Sequence, residues 1–104
     1  MSAIDEIATE RRRQIEAEGW TAEHDDAHAN GELAKAAGCY ALYDNRKAYP
    51  RFMPPEPWPF DWCWWKPANR RRDLVRAAAL IIAEIERMDR ADALLSALEG
   101  GEHG

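Results

Sequence analysis

Serine is nearly absent, with only Ser2 and Ser96 in 104 residues. Cysteine occurs twice, at Cys39 and Cys63, far apart and without metal-ligand spacing. These scarcities remove a nucleophile elbow, a P-loop, a Cys–His pair and a disulfide framework. The two thiols are expected to be buried and free, in a reducing cytoplasm. No apolar run approaches the roughly 20 residues that a bilayer requires, and the acidic N-terminus has no secretory pattern, so no membrane is expected. Lys and Arg number 14 against 19 Asp and Glu, a net charge of −5. General nucleic-acid binding needs the opposite balance and is excluded as a partner class.

What remains is a chain with 46% hydrophobic and 32% charged residues, enough for one helical core. A single domain over 1–99 and a frayed tail over 100–104 are expected. The fold class is mainly α: three helices, with an ordered Trp/Pro-rich loop between the second and third. The first helix spans 4–18, with Ser2 as N-cap, Ile4, Ile7, Ala8 and Ile15 on one face, and Gly19 ending it. Thr21 caps a short helical turn in the acidic stretch 21–30. The second helix spans 31–43, capped by Asn30, with Leu33, Ala36, Ala37, Tyr40 and Ala41 inward. Its alanines and Gly38 suggest close approach to another helix. The third covers 69–98 behind the N-cap Asn69, with Leu74, Ala78, Ile81, Ile82, Ile85, Met88 and Leu95 at helical spacing. Alanine-rich faces on the second and third helices point to a homo-oligomer.

All six prolines fall between Pro50 and Pro67. Proline removes amide donors and fixes φ, so no long helix or central strand crosses this stretch. The same stretch holds Trp58, Phe60, Trp62, Trp64 and Trp65, whose large rings need packing. One reading makes them an aromatic platform for a flat ligand; the other makes them core. The loop is followed by Lys66, Arg70, Arg71 and Arg72. Cations at a helix N-terminus oppose the macrodipole unless an anion compensates them. That anion is either a ligand phosphate or the acids of 23–26. The candidate ligand site is therefore Trp20, Trp58, Trp64 and Trp65 for stacking, with Lys66, Arg70 and Arg71 for phosphates. His24 and His28, four apart, form a weak metal pair, and a solvated acidic turn explains them better. No metal, cofactor or catalytic residue is assigned. Glu6, Glu10, Glu86 and Asp89 echo the paired carboxylates of the all-α nucleotide pyrophosphohydrolases, an Mg²⁺-dependent alternative.

Two resemblances follow from particular residues. ERRRQIEAEGWTAEHDD over 10–26, GELA over 31–34, WWKP over 64–67 and RRDLVR over 71–76 resemble a family of small phage and prophage proteins. Gly19, Trp20, Asp26, Asp73 and Val75 are similar in order to the ryanodine-receptor repeat domain. That second resemblance implies a small helical domain, some of whose relatives bind adenine nucleotides. Together they imply a phage-encoded, non-enzymatic protein of the host cytoplasm. It would sequester a nucleotide-derived immune signal, such as an ADP-ribose-type or cyclic nucleotide. Besides the pyrophosphohydrolase, the remaining alternative is an inhibitor of a host protein that uses the Trp-rich loop as its contact.

Overall fold

A computed structural model describes residues 2–43 and 54–100. The expected tail, beyond Gly100, and the first part of the proline-rich stretch, including Pro50, lie outside the described residues. Four α-helices follow in order: α1 (Ala3–Glu16), α2 (Ala22–Asp26), α3 (Glu32–Leu42) and α4 (Arg70–Gly100), with a 3-10 turn at Trp62–Trp64 before α4. No strand occurs among the described residues. The mainly helical reading stands. The short turn after Thr21 closes into a helix of its own, so three expected helices become four.

Local chemistry explains the boundaries. Ser2 and Asp5 form a capping box on α1, and Asp5 and Glu6 lie in its first turn. At the other end, Gly19 has φ +76, a region favouring glycine, and the Trp20 amide donates back to the Gln14 carbonyl at 3.0 Å. Trp20 is thereby folded onto the end of α1. The Thr21 hydroxyl accepts the His24 amide and starts α2. Gly31, at φ +81, is the residue before α3; it takes the place expected for Asn30. Asn69 accepts the Arg72 amide through its side chain at 2.8 Å, as its N-cap assignment required. A methyl group on Gly38 would meet nothing within 4 Å, so close packing of α3 on α4 rests on Ala36 and Ala37 instead.

Helix α4 is the spine against which α3, α1 and α2 pack. The core contains few aliphatic side chains, chiefly Leu33, Val75 and Leu80. Its bulk is aromatic: Trp20, Tyr40, Tyr43, Trp58 and Trp65, with small alanines between. Tyr40 stacks on Trp65 at 4.7 Å and meets Trp58 edge-on at 5.6 Å. Its hydroxyl accepts the Lys66 amide at 3.0 Å, which ties the proline-rich strap to α3. Of the two cysteines, Cys39 is buried and Cys63 is exposed, a correction to the expectation that both are inside.

Two helices turn their charged or small residues inward. In α1 the buried residues are Glu10, Arg11 and Gln14, whereas Ile4 and Ile15 are exposed. In α4, Asp73, Val75, Ala77, Ala79, Leu80 and Ala83 are buried. The apolar stripe at helical spacing from Leu74 to Leu95 faces out. The reason is an ion-pair network at the α1–α4 contact. Arg11 donates to Asp25 at 3.0 Å and to Glu86 at 3.2 Å. Arg71 meets Glu6 at 2.6 Å, and Arg72 meets Glu10. Arg90 grips Asp26 through two nitrogens at 3.0 and 2.8 Å, joining α2 to α4. Such pairs have directional geometry that a greasy stripe lacks.

Two glutamates in this network make folding sensitive to acid. Burial alone would raise the Glu10 carboxyl. The hydrogen bond and charge of Arg13, with Arg72 and Arg76 behind it, outweigh burial and hold it below the ordinary range. Glu18 is lowered against burial in the same way, by Arg13 and Lys66. A carboxyl depressed in the folded state adds stability above its unfolded pKa, about 4.3, and loses it as pH falls through the folded value. The melting temperature is therefore expected to be level near neutrality and to fall progressively below about pH 4.3. Glu18→Gln should flatten that fall, which thermal scans across the acid range measure.

Candidate functional site

The proline-rich strap and α2 face each other across an aromatic cleft. Trp20, His24 and His28 stand at intervals of four residues along the chain, so the turn of α2 brings their rings into a row. Trp20 and His24 lie nearly parallel, 6° apart with centroids at 6.1 Å. His28 follows His24 at 4.7 Å, and Phe60 closes the row edge-on to His28 at 5.1 Å. Trp64 tilts over Trp20 at 6.3 Å. With Asp61, these residues line an open cleft of about 220 Å³. The strap is set by Trp58, whose indole nitrogen donates to the Asp61 carbonyl at 3.0 Å.

Both imidazoles are oriented from behind. His24 Nδ1 meets the buried Asp25 carboxylate at 3.0 Å, and Arg11 holds the other oxygen of that carboxylate. His28 Nδ1 meets Glu32 at 3.3 Å. The backbone amides of Glu32 itself and of Asn30 keep the Glu32 carboxyl below its ordinary range, outweighing desolvation. A carboxylate accepts, so each Nδ1 donates to the carboxylate behind it. The cleft thus combines flat aromatic walls with polar groups, the two imidazoles and Asp61. Such a lining suits a flat heteroaromatic ring with polar edges.

The residues singled out in the sequence divide among three places. Trp20 and Trp64 line the cleft. Trp58 and Trp65 are buried against Tyr40 and Tyr43 and act as core. Lys66 lies over the Trp64 ring, its ammonium 5.3 Å from the centroid, while bonding Glu18 at 3.2 Å. Arg70 donates to the Ala41 and Tyr43 carbonyls at 2.6 and 2.8 Å, a cation at the C-terminus of α3. Arg71 is taken by Glu6. The groups that satisfy the basic cluster are thus Glu6, Glu10 and Glu18 and the carbonyls at the end of α3; Asp25 and Asp26 serve Arg11 and Arg90 instead. Arg70 and Arg71 do not join the aromatic cleft.

The four carboxylates of the pyrophosphohydrolase reading are not assembled. Glu6, Glu10 and Glu86 each bond an arginine. No group of three or more His, Cys, Asp or Glu able to hold a metal ion occurs among the described residues. Phe60, Asp61 and the stacking use of the two histidines went unassigned in the sequence. Their available signal was the Trp20–His24–His28 spacing, a ladder of flat rings rather than a metal pair. No family model, curated protein or solved structure matches the chain.

Proposed function

We propose that this chain is a binding protein for a nucleotide-like small molecule, whose base enters the cleft between Trp20, His28 and Trp64. The row of flat rings, with both imidazoles held by carboxylates from behind, is the observation that carries this reading. A cavity of about 220 Å³ suits one ring system; drug-sized pockets begin at roughly 300 Å³. The remainder of the ligand therefore stays outside, on the side where the Lys66 ammonium lies over the Trp64 ring. The likeness to small phage and prophage proteins gives this binding a purpose: sequestration of a nucleotide-derived immune signal, without turnover.

Titration of tryptophan fluorescence with AMP, ADP-ribose and cyclic dinucleotides tests the proposal. A saturable change is expected with at least one of these ligands, which is recovered intact afterwards. Trp64→Ala removes one stacking partner, a loss of about 1–3 kcal/mol, or roughly 5- to 150-fold in affinity. Trp64 is partly exposed, so the variant keeps its melting temperature within a few degrees. Absence of any saturable response, or undiminished affinity of Trp64→Ala, defeats the proposal.

A further inference from the structure

We infer that the outer face of α4 is the dimer interface of this protein, and that two copies pair antiparallel about a two-fold axis at Ile85. This rests on α4 alone and is independent of the ligand reading. Leu74, Ile81, Ile82, Ile85, Met88 and Leu95 lie on that face, each 36–54% exposed. Leu74, Ala78, Ile81, Ile85, Met88, Asp92 and Leu95 alternate by four and three, the spacing of a helix-to-helix seam. Helix α4 has 31 residues, about 46 Å in length. Residues 91–99 are all exposed, so its distal end leaves the body. With Ala78, these side chains form one contiguous exposed apolar stripe, and such a patch marks an interaction surface.

Charge selects a second copy and fixes its direction. In the first two turns of α4, Arg70, Arg72 and Arg76 are bonded within the chain, while Arg71, beside Glu6, keeps 64% of its side chain exposed; the second half exposes Asp89, Asp92 and Glu99. With Asp92 in the seam, the face matches itself when reversed, as an isologous contact requires. About an axis at Ile85, Arg71 comes opposite Glu99 of the second copy, Ile82 opposite Met88 and Asp92 opposite the small Ala78, while Leu74 falls within one residue of Leu95. The two macrodipoles also oppose. A parallel pair in register would place Asp92 on Asp92 and the arginines on one another.

Light scattering on the intact chain is expected to give twice the 11.9 kDa of one copy. Ile85→Glu should abolish the dimer and keep the helical circular dichroism, since Ile85 has no place in the core. For direction, Leu74→Cys and Leu95→Cys proteins, each also carrying Cys63→Ser, are mixed and oxidised. The mixed cross-link is expected, with little Leu74→Cys self-link. A monomeric wild-type chain, a dimer that survives Ile85→Glu, or self-linking of Leu74→Cys without the mixed product would overturn the inference.

Discussion

Asp25→Ala is expected to destabilise the fold by about 3–5 kcal/mol, a large part of the roughly 5–15 kcal/mol available to a domain. Asp25 is fully buried, accepting from Arg11 at 3.0 Å and facing His24 at 3.0 Å. Its removal strands the largely buried Arg11, which already has one guanidinium nitrogen, Nη1, without a partner among the described residues. Glu86 still binds Arg11 but is half in water and compensates weakly. The melting temperature should drop by about 15 °C or more. The adjacent Asp26→Ala breaks an exposed pair with Arg90 and should cost no more than about 1 kcal/mol. Adding Arg11→Met to Asp25→Ala should restore much of the loss, because the uncompensated charge goes with it. Chemical denaturation of these variants measures each value. Equal effects of Asp25→Ala and Asp26→Ala would refute the account.

Trp58→Ala should be of similar size, about 3–5 kcal/mol, for a different reason. Trp58 is buried and packs against Tyr40, Phe60 and Trp65 at 5.6, 5.7 and 5.0 Å. With so few aliphatic side chains to collapse into the space, the cavity stays open. The indole nitrogen also leaves the Asp61 carbonyl without its donor, so the wall of the cleft loosens as well. Trp62 stands 57% exposed, four residues away. Trp62→Ala should therefore change stability by no more than about 0.5 kcal/mol. Denaturant midpoints separate the two, and a mild Trp58→Ala would show that the aromatic cluster is not the core.

The helices were legible because their ends carry local chemistry. Ser2, Gly19, Thr21 and Asn69 act through bonds to residues near them in sequence, and each behaves as its type predicts. The faces of α1 and α4 were not legible. Apolar periodicity assigns Ile4 and Ile15 to the core, yet Glu10 and Arg11 occupy it. Their partners, Arg72, Asp25 and Glu86, are 14 to 75 residues away, and pairing at that range leaves no periodic signal. The cleft was half legible. Composition marks the strap, but it does not separate Trp64, which lines the cavity, from Trp65 beside it, which fills the core. That difference arises from the 3-10 turn at Trp62–Trp64, which sends neighbouring rings in different directions.

The charged contact between α1 and α4 also acts as a vernier. Leucine packed on leucine tolerates a slip of one turn, because any apolar neighbour serves. Arg71 on Glu6, Arg72 on Glu10 and Arg11 on Glu86 admit only one alignment, since a shift of either helix misses all three together. A chain with so little aliphatic core thereby fixes its register by geometry. The same arrangement frees the apolar residues of α4 from the interior and leaves them for the outside of the molecule.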